Sequence, residues 1–499
     1  MRRIASVLLF VGAISVHATT EPDPCKPPNF PLPQFKAATF NVRDFGAAGN
    51  GKTNDTPAIN RAVEKCNSSG GGDVVFPAGT YSAASIHLKS NVHFLLDKDA
   101  VITGAGGGYD PPEPNPFDQH QDFGHSHFHN ALMWGEKIEN FAISGGRING
   151  GHIIKDDPQG KDVGDKLISV VSGKNLLFQN VTHDSGGHFV YLLNDCENVT
   201  IHNVTIKQSR DAVNLVGCRN VQIHNCSFTG CGDDTIALKS DFALGRMINS
   251  ENIYVWDSDL ETSCNALQFG AETFGDFHNV NFWNIRINRA MKAAIGITSA
   301  NGALIDGVTY RDITIKHAAC PVFIRLINHR RSGDLVAKIG AIRNVTISNV
   351  SVTECQATNS GIIRTSAILG QPDAYVENVV LENVKITGKG GAKWTDLAVK
   401  ATDAKPQSDQ PAKKTLPASG FYIRSAKDVI FKNVAFALET ADVRPVLVAS
   451  DVNGLTLDHF ESQESAGGLL RLEKIRNFFV RHCAGLMDQR AEDVQALTK

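Results

Sequence analysis

Two aspartates stand side by side in GCGDDTIALKSD, residues 230–241, at the mouth of a short apolar run. On a regular strand neighbouring side chains point to opposite faces, so one of Asp233 and Asp234 would face an interior that rejects an unpaired carboxylate. A third, Asp211, stands in SRDAVNLV, 22 residues before Asp233 and 23 before Asp234. Three carboxylates within a few ångströms cannot all ionise, so at least one is expected to hold a proton. That proton is what a general acid needs, and paired acids are the machinery of glycosidic bond hydrolysis. Turn capping, a structural cation, and a calcium site serving a β-eliminating lyase are the competing uses of such a cluster.

Distant carboxylates meet only if the chain stacks them, and the sequence supplies a device for stacking. From about residue 140 it repeats one phrase: NLLFQNVTH at 175, NVTIHNVTI at 198, NVQIHNCSF at 220, NIYVWDSDL at 252 and NVNFWNIRI at 279. The phrase returns as NVTISNVSV at 344, NVVLENVKI at 378 and DVIFKNVAF at 428. Over the central part the phrases begin 23, 22, 32 and 27 residues apart. Alternating apolar residues at such spacing, with no amphipathic helix between, predict an all-β solenoid, a right-handed parallel β-helix in which each coil lies on the one before. The recurring Asn would form a hydrogen-bonded ladder at one corner. An antiparallel sandwich would need hairpin dipeptides about every ten residues, and these are missing.

Stacked coils convert spacing into position. Thirteen residues on from Asn175, Asn198, Asn220, Asn252 and Asn279 stand His188, Asp211, Asp233, Asn265 and Lys292, all polar, which predicts one wet line along the surface. Aligning the following strand instead sets Val213 and Leu215 against Ile236 and Leu238, and so Asp211 against Asp234. The two counts differ by one residue. Asp233 is then the extra residue of a bulge, which lets both aspartates face the same cleft as Asp211.

The bulk composition narrows the setting. MRRIASVLLFVGAISVHA, residues 1–18, has a basic start, an apolar run too short to span a bilayer and small residues at its end, the pattern of a secretory signal peptide. Without it, Lys+Arg falls from 49 to 47 against 52 Asp+Glu, a formal charge of −5 that excludes a nucleic-acid footprint. The expected organisation is a linker over 19–37, the parallel β-helix over 38–467 and a closing C-terminal segment over 468–499. DTPAINRAVEKCNSSGG predicts a helix with Asp55 as N-cap, capping the open end of the stack. Residues 399–418, polar and rich in Pro and Lys, read as an exposed loop. A secreted monomer follows, with no cofactor, no metal and no membrane contact after cleavage.

The strings CENVTIHNVTI, SRDAVNLVGC and GCGDDTIALKS resemble the polygalacturonase family of pectin-degrading glycoside hydrolases, family 28. FNVRDFGAAGNGKTNDTPAINRAV, GGRINGG and GQPDAYVENVVLENVKI extend the resemblance over most of residues 38–390. It implies a pectin-lyase-like β-helix and inverting hydrolysis, with acid and base about 6.5–9.5 Å apart. Asp233 and Asp234 match the family's D-D pair and Asp211 the aspartate of N-T-D, so that Asp233 protonates the leaving oxygen while Asp211 and Asp234 activate water. Two motifs depart from the family. Cys264, Asn265 and Ala266 stand where it has G-H-G, and KAAIGITS has no basic residue where it has R-I-K. Lys292, Arg325 and Arg330 are the substitutes offered for gripping a substrate carboxylate, with Asn265 and His188 as further substrate contacts. The implied partner is a pectin-type polysaccharide; rhamnogalacturonan or another acidic glycan is the alternative substrate, and a non-catalytic carbohydrate-binding β-helix the alternative class.

Three further features qualify. DQHQDFGHSHFHN sets His125, His127 and His129 at alternating positions, on one face if the segment is a strand, beside Phe117, Phe123 and Phe128 as stacking surfaces for a sugar. Glu272 reads as a solvated loop residue. Cys196 and Cys218, 22 apart, would be stacked interior thiols rather than a bridge. Sequons at Asn54, Asn67, Asn180, Asn198, Asn203, Asn225, Asn344 and Asn349 are explained in several cases by the repeat itself.

Overall fold

The computed structural model describes residues 25–154, 162–327, 335, 339–393, 415–463 and 465–499. The signal segment 1–18, the start of the 19–37 linker, Arg330 and residues 399–414 of the expected loop lie outside the described residues.

The described strands wind into a parallel β-helix. Apolar residues two apart on each strand point inward and meet their counterparts one coil away. Val213, Ile236, Leu267, Ile295 and Val322 form one such column, each in register with the next and each buried. Burying a side chain of this size contributes roughly 1.5–3 kcal/mol, so a column repeated on every coil supplies a core that lengthens with the chain.

Corners are set by asparagine. Asn140, Asn175, Asn198, Asn220, Asn252 and Asn279 all adopt φ between 53° and 57°, a left-handed conformation that Asn tolerates better than other side chains. Each donates its Nδ2 to the Oδ1 of the Asn one coil below, at 2.8–3.1 Å, starting from Asn91. The predicted ladder is therefore present, one residue per coil. The same geometry accounts for sequons: Nδ2 of Asn198, Asn203, Asn344 and Asn349 is committed to ladder bonds.

A helix, α1 (Thr56–Ser68), precedes the repeats and buries Ala58, Ile59, Ala62, Val63 and Cys66. The Asp55 carbonyl accepts from the Ile59 N–H at 2.9 Å, but its side chain makes no cap bond; the carboxylate accepts from the backbone N–H of Ala48 and Gly49 at 2.6 and 3.1 Å instead. The coils that matter for chemistry carry β1 (Phe189–Asn194), β2 (Asp211–Val216), β3 (Ile236–Ser240), β4 (Leu267–Thr273), β5 (Phe277–Ser299) and β6 (Ala318–Leu326). Near the far end, β7 (Leu447–Ser462) pairs parallel with β8 (Leu470–Arg481). The last strand, β9 (Gln489–Thr498), reverses and runs antiparallel on β8. No disulfide joins any of the ten cysteines among the described residues, and all ten are buried, Cys196 and Cys218 among them.

Candidate active site

The carboxylates come together through a fault in the stacking. The N–H of Asp233 donates to the carbonyl of Arg210 at 2.8 Å, while the N–H of Ala212 donates to the carbonyl of Asp234 at 3.0 Å. Asp211 therefore faces two residues of the next coil, a two-against-one bulge. One-to-one register resumes at Val213 and Ile236. A second fault follows two coils later, where Lys292 donates to the Cys264 carbonyl at 2.8 Å and Ala266 to the Ala293 carbonyl at 3.0 Å. Asn265 thus faces both Lys292 and Ala293. The line counted at thirteen residues passes through Asp211, Asp233, Asn265 and Lys292 by way of these two faults. His188 leaves the line; its coil position is opposite Arg210, since Phe189 pairs with Asp211.

Each carboxylate has its own surroundings. Asp211 is buried, accepts from Nδ2 of Asn214 at 3.0 Å, and leaves Oδ1 without a hydrogen-bond partner among the described residues. Burial, then the charges of Asp233 and Asp234, push its carboxyl up to about 7. Asp234 is also buried and accepts from Nδ2 of Asn265 at 2.8 Å; burial and then Asp233 push it up to about 6. Asp233 differs. Burial opposes its ionisation too, but Lys292, the Cys264 thiol and Arg210 outweigh burial and hold its carboxyl below the ordinary value. Arg210 NH2 lies 3.0 Å from Asp233 Oδ2 and Lys292 Nζ 3.7 Å from Oδ1.

The three carboxylates thus differ in how strongly their surroundings favour a proton. Asp211 and Asp234 are pushed toward the protonated form and Asp233 toward the ionised one. Burial and the two neighbouring aspartates also push the Cys264 thiol well up, so it stays protonated and donates to Asp233.

A buried cation lies behind the cluster. Lys239 Nζ is 3.2 Å from Glu272 Oε2 and 3.1 Å from His125 Nε2. Burial works against its charge, but Glu272, Asp211 and Asp234 outweigh burial and keep it an ammonium. Two donor sets here have metal-like spacing, Asp233 with Asp234 and Cys264, and Asp122 with His125 and Glu272, each with ligand atoms within 4.8 Å of one another. Both already hold protein cations, Arg210 and Lys292 in the first and Lys239 in the second.

Several expected residues take other places. His188 is buried and accepts from the Arg210 guanidinium through Nε2, so it braces Arg210 rather than lining a groove. Asn265 is occupied at both ends, donating to Asp234 and accepting from the Ala293 N–H at 3.0 Å. Arg325 pairs with Thr298 and Leu369, five residues along β6 from Cys320, which is opposite Ala293. About 16 Å of strand, at roughly 3.3 Å per residue, thus separates its backbone from the carboxylate column. Glu272 is buried, not solvated.

The three histidines do not share a face, because Phe123–Ser126 forms a helical turn. His125 turns inward to Lys239, His127 stacks on Phe123 with centroids 3.6 Å apart, and His129 stacks on Trp134 at 3.9 Å. Phe128 is core, packed with Phe189, Leu192 and Val216. Phe117 packs edge-on against Phe242. This segment roofs the outer face of β1 and β2, held to the next loop by Asn115 Nδ2 donating to the Ala243 carbonyl at 2.9 Å.

Arg210, Lys239 and Cys264 were not singled out from sequence. Arg210 had one available signal, a charged side chain immediately before Asp211 on a coil corner.

Comparison with known proteins follows the same lines. Residues 39–254 match the family described as "Rhamnogalacturonase A/epimerase, pectate lyase-like", a stretch that includes all three aspartates and ends before Asn265 and Lys292. An endo-polygalacturonase of Pectobacterium parmentieri is 22% identical over 241 residues, 47% of this chain and 56% of that protein. The plasmin and fibronectin-binding protein A of Streptococcus pneumoniae is 30% identical over 227 residues, 44% of this chain and 28% of that protein. The chain thus spans between about a quarter and three fifths of the length of these relatives. The solved family 28 exopolygalacturonase of Yersinia enterocolitica superposes with a TM-score of 0.65 at 17% identity, covering 85% of this chain and 79% of that one. The chain has the β-helix fold of the polygalacturonases and resembles them in sequence.

Proposed function

We propose that the protein hydrolyses glycosidic bonds in an acidic, pectin-type polysaccharide, using Asp211, Asp233 and Asp234. The observation that carries this reading is the bulge opposite Asp211, which gathers three carboxylates at one point of an otherwise regular stack.

The three acids share a proton whose place depends on substrate. In the free protein Arg210 and Lys292 keep Asp233 ionised, and the proton sits on Asp211 or Asp234. A uronate carboxylate entering the groove competes with Asp233 for those two cations. As they turn to the substrate, Asp233 loses the charges that stabilise its anion and becomes the better base within the trio. The proton passes to it, leaving Asp211 and Asp234 ionised. Asp233 then protonates the glycosidic oxygen as the bond to the anomeric carbon breaks, and water attacks that carbon from the opposite face as it gives a proton to the Asp211–Asp234 pair. One proton enters the leaving group and one returns to the enzyme, so the cycle closes with inversion.

The exported setting suggested by residues 1–18 suits a polymeric substrate. Reducing ends released from polygalacturonate and from rhamnogalacturonan test the reading directly. Release from either supports a hydrolase and identifies the backbone, whereas an unsaturated, calcium-dependent product signifies a lyase. The likeness to the pneumococcal plasmin and fibronectin-binding protein favours a second reading, a binding protein without turnover; retention on the polysaccharide with no release from either substrate is its signature.

A further inference from the structure

The asparagine corners change composition at the C-terminal end of the stack. On one corner Asn383 donates to Asn349 at 3.0 Å and Asn433 to Asn383 at 2.7 Å. Lys432 pairs with Asp458, and Asp458 with Arg481, so the next two rungs of that ladder are His459 and His482. Both keep the left-handed corner, at φ 53° and 54°.

These histidines do not continue the ladder. An asparagine carries both a donor and an acceptor and can chain from coil to coil. Here the Nδ1 atoms of His459 and His482 instead converge on one oxygen, Asp458 Oδ1, at 2.8 and 3.4 Å. The rings lie 4.6 Å apart, and the three ligand atoms are within 4.8 Å of one another. Two imidazole nitrogens and a carboxylate oxygen converging this closely form a donor set that can hold a divalent metal ion. The carboxylate is fixed from behind, because Arg481 holds its other oxygen at 2.6 Å, an outer contact of the kind that orients metal ligands. Both histidine side chains are 56% exposed, which leaves room for water to complete the coordination.

We propose that Asp458, His459 and His482 bind a divalent transition metal of the zinc type, clamping β7 to β8. Imidazole and carboxylate ligands suit zinc, whereas calcium requires six to eight oxygens. The clamp ties the last two parallel coils together one turn before β9 reverses direction. The N–H of His482 also donates to Asp488 Oδ1 at 2.7 Å, so the same corner anchors the turn into β9.

The test is titration of the full chain, carrying no affinity histidines, with zinc chloride by calorimetry and with cobalt(II) by absorption. One zinc per chain is expected, with affinity reduced at least about tenfold in the His459→Gln/His482→Gln double variant and in Asp458→Asn. Asp233→Asn should bind zinc as the parent does, which separates this site from the carboxylate cluster. Hydrogen exchange gives the structural readout: zinc should slow exchange of β7 and β8 amides in the parent and not in the double variant. Absence of zinc binding, or stoichiometric binding that survives loss of both histidines, would overturn the proposal.

Discussion

The asparagine corner and the aspartate corner lie on the same coils, a dozen or so residues apart, and treat repetition in opposite ways. At the first, Asn198, Asn220 and Asn252 follow one per coil, each donating to the one below at 2.9–3.0 Å. Neutral side chains that both give and accept hydrogen bonds gain from being stacked. At the second, Asp211 meets Asp233 and Asp234 together through one extra residue. Like charges lose from being stacked, and the fold retains them only with Arg210, Lys292 and Lys239 close by. Regular repetition builds a stable scaffold here, and its local failure concentrates reactive groups.

The contrast is broken most sharply by exchanging charge for amide at the faulty corner. Asp233→Asn should keep the fold and lose at least about 10² in rate, the scale of general acid catalysis, measured as reducing ends released per enzyme on whichever backbone is cleaved. Parent-like turnover in this variant would remove Asp233 from the chemistry. The matching change at the regular corner is Asn220→Ala. It strands the hydrogen-bonding groups of Asn198 and Asn252 and places alanine at φ 56°. A loss of about 1–3 kcal/mol in unfolding free energy is expected, read by denaturant titration, with turnover unchanged. If Asn220→Ala were to abolish activity while leaving stability intact, the division of labour between the corners would be wrong.

The same contrast explains how much could be read from sequence. The ladder was legible because it obeys a fixed spacing, as in NVTI at 198 and NVQI at 220, and so was the meeting of Asp211 with Asp234, which follows from aligning Val213 with Ile236. What failed was anything set by a side chain's reach or by a segment outside the repeat. His188 sits one position off the counted line and turns to Arg210. His125 enters the site from a helical turn 114 residues before Lys239, and no periodicity connects the two. Glu272 lies just beyond the last regular pair of β3 and β4, where the register shifts, so counting gave no warning that it turns inward. The ionised state of Asp233 was likewise invisible, since it depends on Lys292, the Cys264 thiol and Arg210, which converge from three coils.

Lys292 sharpens the comparison, because it is the residue by which the faulty corner is tied to its substrate. If it exchanges Asp233 for a uronate carboxylate, Lys292→Gln should raise KM for the acidic polymer roughly tenfold, the equivalent of the ~1.5 kcal/mol of one charge-assisted hydrogen bond. The effect should shrink when the uronate groups are methyl-esterified. A KM that rises equally for charged and esterified polymer would mean that Lys292 shapes the groove without reading charge.

The smallest effect expected separates the corners by pH. Burial pushes the carboxyls of Asp211 and Asp241 up to about 7, and those of Asp165 and Asp234 up to about 6, against about 3.9 in an unfolded chain. The folded state therefore binds more protons than the unfolded state across this interval, and the stability these groups contribute, full below pH 4, is lost as pH rises through 6 to 7. Burial acts oppositely on His125 and His183, driving both down to about 3, so their contribution is present above about 6.5 and fades as pH falls towards 3. Thermal stability should thus peak in mildly acidic solution and decline on both sides. Replacing Asp211 and Asp234 together by Asn should flatten the decline between pH 5 and 8, because two of the four titrating carboxyls are gone. Asn220→Ala should lower the whole curve without changing its shape, because Asn220 and the two rungs it bonds, Asn198 and Asn252, carry no group that titrates. Melting temperatures from pH 4 to 9 for the three proteins decide the matter: an unflattened decline in the double variant would mean that the aspartate corner is not where the folded chain stores its excess protons.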